Sequence, residues 1–170
     1  MLLGTHDAQS PLRQLRSQHR LLELIIRDWV LVTPEVLFLE VLIAEMLEVN
    51  PGVTEARLRK GLELNPDGSI KGWDLNWCGL RALPELFGAV RTTEYLLLNF
   101  NELTSLPDSF GSITVGGDLR LYYNDLSSLP DSFGSITVGR DLELNDNQLK
   151  DQDIPAAFPN VSNVQEFQIW

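Results

Sequence analysis

Side chains suited to nucleophilic or acid–base catalysis are scarce in this chain. The histidines are His6 and His19, both near the beginning, and the single cysteine is Cys78. A nucleophile needs a base within hydrogen-bond reach, and no Ser-His-Asp arrangement can be assembled near the later half of the chain. We therefore expect no enzymatic activity.

Metal and cofactor motifs are equally scarce. The Cys and His spacing fits no zinc site, and there is no glycine-rich phosphate loop. The acidic run at 145–153 lacks the glycine and the closing glutamate of a calcium loop. We expect neither a bound metal nor a cofactor.

The charge excludes some classes of partner. The chain has 170 residues, with 24 Asp and Glu against 13 Lys and Arg, a net charge of −11. Such a chain offers no general basic face to nucleic acid or to an anionic membrane. The most apolar stretch, 21–47, contains six charged residues, which argues against a membrane span. Without a signal segment, we expect an intracellular, cytoplasmic protein.

A 23-residue repeat dominates the last hundred residues. The segment 105–116, SLPDSFGSITVG, recurs unchanged at 128–139, and Leu-Pro pairs begin at Leu83, Leu106 and Leu129. Each repeat also carries a phenylalanine, at Phe87, Phe110 or Phe133. In each repeat, two apolar residues two positions apart precede a Cys or Asn. The Cys or Asn residues form one column of the repeat, which comprises Cys78, Asn101, Asn124 and Asn147.

The spacing L-x-L-x-x-N/C-x-L resembles a leucine-rich repeat, in particular the 23-residue class with an LPxxF motif that is common in intracellular proteins. The segment SLPDSFGSITVGGDL is similar to tandem repeat arrays in unicellular eukaryotes such as algae. The resemblance covers 71–170 and implies an α/β solenoid of about 4.5 repeats, with a short parallel sheet on its concave face and irregular or short helical segments on its convex side.

Elementary geometry supports the same architecture. In L-x-L the two leucines point to one side of a strand, so stacked parallel strands bury them as one core. Each repeat then forms one turn of the chain, here called a coil. The Cys/Asn column forms a structural ladder that bonds the backbones of neighbouring coils. Phe158 is expected to continue the phenylalanine column, and Phe167, Gln168 and Ile169 to form a fifth strand aligned with the strand of Leu142.

The N-terminal part has helical signals. We predict a flexible segment at 1–10 and a helical cap at 11–70, with one helix from Pro11, one from Pro34 and a third near Thr54. The turn at 65–68 is also compatible with a hairpin of two short strands. The helices either only cap the first coil or also form a partner-binding module.

The residues between and after the strand leucines should face outward, and the column after them comprises Asn76, Asn99, Tyr122 and Asn145. Rings at Trp77, Phe100 and Tyr123 share one register and predict an aromatic ridge, with Tyr122 beside it. Such rings are common anchors at protein interfaces. Acidic residues share this face, together with one arginine; these charged residues are Asp118, Arg120, Asp141, Glu143, Asp146 and Glu166.

The sequence therefore predicts a non-enzymatic interaction module whose acidic, aromatic-lined concave face binds a protein with a basic patch. The alternative is a structural or assembly subunit. It would act through the helix from Pro34 or through an open edge strand with Phe167, Ile169 and Trp170.

Overall fold

The computed structural model describes residues 33–150, 153, 155 and 158–164. The predicted flexible segment, the helix from Pro11, and the residues Glu166 to Trp170 lie outside the described residues. The helices are α1 (Pro34–Val49) and α2 (Glu55–Lys60). The strands are β1 (Leu62–Leu64), β2 (Ile70–Asp74), β3 (Arg91–Leu97), β4 (Thr114–Val115), β5 (Leu119–Arg120), β6 (Thr137–Glu143) and β7 (Val161–Val164).

Helix α1 begins where its sequence predicts. Thr33 is the N-cap, its hydroxyl accepting a 3.4 Å hydrogen bond from the Val36 amide, and Pro34 and Glu35 fill the first turn. One side of the helix is buried in the core through Leu39, Leu42, Ile43 and Met46.

Asn50, at the end of α1, ties the helix to the chain that follows the first ladder residue. Its side-chain amide donates to the carbonyl of Ala82, and its oxygen accepts from the amides of Arg81 and Ala82 at 2.7 and 3.2 Å. Helix α2 packs nearby, where Arg59 pairs with Glu40 of α1 at 2.6 Å. These contacts join the N-terminal helices to the repeats.

The turn at 65–68 joins two strands, so the hairpin left open by the sequence is the one observed. Strands β1 and β2 pair antiparallel, and Gly68 adopts a φ of +87° in the turn. The predicted helical cap at 11–70 therefore ends in a strand. Trp73 of β2 is fully buried, and its indole donates to the carbonyl of Leu58 at 2.8 Å.

The remaining strands run parallel in one seven-stranded sheet, so the protein is a mixed α/β protein with a mainly parallel sheet. β2 pairs with β3. Both β4 and β5 pair with β3 on one side and with β6 on the other, and β7 pairs with β6 on its far side. Leu119 lies between Leu96 and Leu142 in the aligned strands. Residues separated by 23 positions therefore stand side by side.

One side of the sheet forms the core, as the L-x-L alternation predicts. All eight strand positions of the motif are at most 2% exposed: Trp73, Leu75, Leu96, Leu98, Leu119, Leu121, Leu142 and Leu144. We call the opposite side of the sheet the open face.

Short 3-10 helices lie across the core from the sheet, at Glu85–Ala89, Asp108–Ser112 and Asp131–Ser135. A proline directly precedes each, and the phenylalanine of each is fully buried. The rings of Phe87, Phe110 and Phe133 stack at centroid distances of 6.1 and 5.9 Å. Phe158 continues the column with an edge contact at 6.0 Å to Phe133, as the sequence predicts.

The strand after β6 has a different register from the predicted one. Val164, not Phe167, lies opposite Leu142, and Asn163 lies opposite Asp141 in the position predicted for Glu166. The pairing is irregular between Val138 and Asp141, because this coil has a different length from the 23-residue period. In the described part of the chain, no helix combines the length and apolarity that a bilayer crossing demands.

Candidate functional site

The ladder column lies at the end of the strands and holds consecutive coils together. The Asn124 oxygen accepts from the amide of Leu103 at 3.1 Å, and its amide donates to the carbonyls of Leu98 and Leu121, both at 3.0 Å. Leu98 and Leu103 belong to the preceding coil, so one side chain satisfies backbone groups of two coils. The same three bonds recur at the other asparagines of the column, Asn101 and Asn147.

Cys78 occupies the first ladder position as a buried, free thiol. Sequence reasoning found no basic group near it, but the structure places Arg57 there, with its guanidinium bonded to the carbonyl of Trp77. Burial raises the pKa of the Cys78 thiol, and the hydrogen bond from Arg57 only partly opposes this shift. A thiol with a raised pKa is a poor nucleophile at neutral pH.

The residue before each ladder position has left-handed backbone. Trp77, Phe100, Tyr123 and Asp146 have φ values between 52° and 57°, a region that large side chains rarely adopt. Because the same unusual turn recurs in each coil, the side chains at this position leave the backbone in the same direction.

Three of these residues form the predicted aromatic ridge. Trp77 and Phe100 stack with centroids 4.3 Å apart and planes 7° apart, and Phe100 and Tyr123 stack at 4.9 Å and 11°. These distances match the spacing of neighbouring strands, ~4.8 Å, so the coil stack itself sets the ring stack. Trp77 is 63% exposed and Tyr123 is 50% exposed. Tyr122 contacts both Phe100 and Tyr123 edge-on.

Two acidic residues of the open face, Asp118 and Glu143, are paired with arginines, partly across neighbouring coils. Arg120 lies 3.3 Å from Glu143 and 3.7 Å from Asp118, and Arg140 lies 3.2 Å from Asp118. Asp146 accepts a hydrogen bond from the Asn145 amide at 2.5 Å. The role of Arg140 had no signal in the sequence beyond its charge, since its target is more than twenty residues away.

Tyr95 is a part of the open face that sequence reasoning missed. It lies opposite Gly72 in the sheet, and a Cβ added to Gly72 would lie 2.5 Å from its ring, so glycine makes room for the tyrosine. Burial, assisted by a hydrogen bond and negative charge from Glu63, raises the pKa of Tyr95 to about 12. Lys71 also contacts Glu63, at 3.2 Å.

One predicted outward position is buried. Asn99 is only 2% exposed, whereas the sequence alternation placed it at the surface beside Asn76, Tyr122 and Asn145. Alternation with the buried Leu98 keeps Asn99 on the open face. Tyr122 belongs to the same column one coil later, and its ring leans to Phe100, the neighbour of Asn99.

Among the described residues, no group of His, Cys, Asp and Glu is arranged to hold a metal ion. Comparison with protein-family models and with curated proteins finds no match for this chain. The geometry of the open face is therefore the basis for a functional assignment.

Proposed function

We propose that the chain is a leucine-rich-repeat solenoid and a non-enzymatic interaction module that binds another protein through its open face. The 23-residue register between parallel strands, the asparagine ladder and the phenylalanine column support the solenoid. Ring spacing supports its curvature: 4.3–4.9 Å on the ridge against 5.9–6.1 Å in the phenylalanine column. The sheet then lies on the inner, concave side.

The observation that carries the binding proposal is the exposed, pre-stacked aromatic ridge. Asp146 adopts the same left-handed turn with a φ of 53° and no ring, so the turn itself does not require an aromatic residue. Trp77 and Tyr123 nevertheless keep large exposed surfaces. Rings held in one orientation lose little conformational entropy on binding, which makes them effective interface anchors.

The charged half of the face would set selectivity. Asp118, Arg120, Arg140 and Glu143 form an alternating network across neighbouring coils. A partner with a basic patch would compete with the arginines for the carboxylates, so charge would contribute to association rate and register more than to affinity. The contacts of Asn50 and Trp73 support the view that the N-terminal helices cap the first coil.

A photo-crosslinking amino acid at Tyr123, compared with one at Ser112 on the 3-10 side, tests this proposal. We expect the probe at Tyr123 to crosslink a partner that the probe at Ser112 does not. For the partner so identified, Trp77→Ala with Tyr123→Ala should weaken binding at least tenfold, because truncation of interface anchors typically costs more than about 1.4 kcal/mol. Circular dichroism checks that the variant stays folded, and unchanged affinity would contradict the proposal.

A further inference from the structure

Two asparagines on the open face have buried side-chain oxygens without a hydrogen-bond partner among the described residues, namely Asn76 Oδ1 and Asn99 Oδ1. They occupy the same register on adjacent coils, ~4.8 Å apart in backbone spacing. Buried acceptors are nearly always satisfied in proteins, so two such oxygens at one register of adjacent coils indicate a site for N–H donors from a ligand.

The surroundings of the two oxygens specify a flat cation. Trp77 and Phe100 directly follow the two asparagines and are stacked on each other. Asp74, two residues before Asn76, is exposed, and its carboxylate accepts one hydrogen bond, from the Asn76 amide at 3.0 Å. The described lysines and arginines form no ion pair with Asp74, in contrast to Asp118.

The open face therefore has two electrostatically different halves. Around Asp118 and Glu143, the cations Arg120 and Arg140 already accompany the carboxylates. Arg57 lies beside the other half, where it bonds the carbonyl of Trp77, but no described lysine or arginine forms an ion pair with Asp74. A positive group supplied by a partner would therefore find an unpaired carboxylate there.

We infer that Asp74, Asn76, Trp77, Asn99 and Phe100, here named the arginine patch, bind an arginine side chain of the partner protein. This inference rests on the proposed function and specifies its partner. A guanidinium is planar, carries five N–H donors and stacks on aromatic rings, so it can pair with the exposed carboxylate of Asp74 and stack on the rings. The two amide oxygens are buried, so they join this site when the asparagine side chains turn toward the bound guanidinium. A lysine ammonium is a point charge with three donors and suits this combination less well.

The test is a titration of the isotope-labelled full chain with N-acetyl-arginine amide, followed by NMR. We expect saturable shifts of the side-chain amides of Asn76 and Asn99 and of the Trp77 indole. N-acetyl-citrulline amide, which has nearly the same shape without the charge, should bind at least fivefold more weakly, and N-acetyl-lysine amide at least twofold more weakly. Equal shifts with citrulline or lysine, or preferential binding of a neutral oligosaccharide at these residues, would overturn the inference.

Two variants sharpen the experiment. Asn99→Leu removes an unpartnered oxygen and keeps the volume, so the fold should persist while arginine binding falls at least threefold. Asp74→Asn should weaken arginine binding at least threefold, whereas Asp108→Asn, which removes the same charge from the 3-10 side, should not. Equal effects of the two charge variants would show that arginine responds only to the net charge of the protein, and this would overturn the inference.

The result is separable from the proposed function. A partner that crosslinks at Tyr123 but places no arginine near Asn99, with no saturable shifts in the titration, contradicts the arginine patch and leaves the interaction face standing. Loss of the crosslink together with saturable arginine binding contradicts the interaction face alone.

Discussion

At the scale of single residues, the ladder asparagines bond the backbones of consecutive coils to each other. Asn124 is 7% exposed and satisfies one backbone donor and two backbone acceptors. The sequence predicted this role because the asparagine recurs at a fixed distance after the strand leucines. Asn50 likewise bonds backbone groups of a distant segment, those of Arg81 and Ala82, but it lies outside the repeats. No periodicity pointed to it, so only the folded chain shows the contact.

The ladder leads to a stability prediction for Asn124→Ala. The change leaves the Leu103 amide without its acceptor, and an unsatisfied buried donor costs about 1–3 kcal/mol. The carbonyls of Leu98 and Leu121 each lose one of two donors and keep the bond from Asn101 or Asn147. We expect the free energy of unfolding to fall by about 1–3 kcal/mol in a urea titration. The matched control is Gln148→Ala, because Gln148 is an exposed amide bonded to Asp125. A loss at Asn124 no larger than that at Gln148 would show that the ladder is not a major source of stability.

At the scale of elements, the repeated DSFGS sequence gives the same 3-10 helix twice, at Asp108–Ser112 and Asp131–Ser135. The hydroxyl of Ser132 donates to the carbonyl of Asp108 at 2.5 Å, which joins the two segments. Sequence reasoning predicted short helical or irregular segments here and found the phenylalanine column. It did not explain the glycine of the motif, because the crowding comes from the neighbouring coil.

Gly111 is the position where this crowding can be tested. A Cβ at Gly111 would collide with the backbone carbonyl of Ser132 in the next coil, and it would lie 2.6 Å from the Ser132 Cβ. Gly111→Ala should therefore force the 3-10 segments apart and lower the free energy of unfolding by about 1–3 kcal/mol. Gly52→Ala is the control, since nothing lies within 4 Å of an added Cβ there, and it should change stability little. The melting temperatures of both variants, measured by thermal unfolding, test this prediction. Similar melting temperatures would contradict close packing of the 3-10 segments.

At the scale of the whole molecule, the stacking of coils determines which acidic side chains lie beside arginines. Residues 71–170 contain 14 Asp and Glu against 6 Lys and Arg, and the repeat pattern predicted an acidic face. It could not predict the pairs across coils, because they arise where the two nearly identical repeats differ. Arg140 replaces Gly117, and its guanidinium lies 2.9 Å from a Cβ built on that glycine, so the bare backbone lets Arg140 reach Asp118. Glu143 likewise occupies the position that Arg120 has in the preceding repeat, and the two side chains pair.

The bonding direction of the ladder has a mechanical consequence. Each asparagine holds backbone groups of the coil before its own, as Asn124 does with Leu98 and Leu103. Under an applied force, detaching one coil breaks only the bonds to its neighbour and leaves the other coils intact. The chain should therefore extend in a sawtooth of contour-length steps of about 76–83 Å, the stretched length of 23 residues. A single rupture of the whole array in an optical-trap recording would contradict this, and a sawtooth would make the repeat an elastic unit that yields one coil at a time.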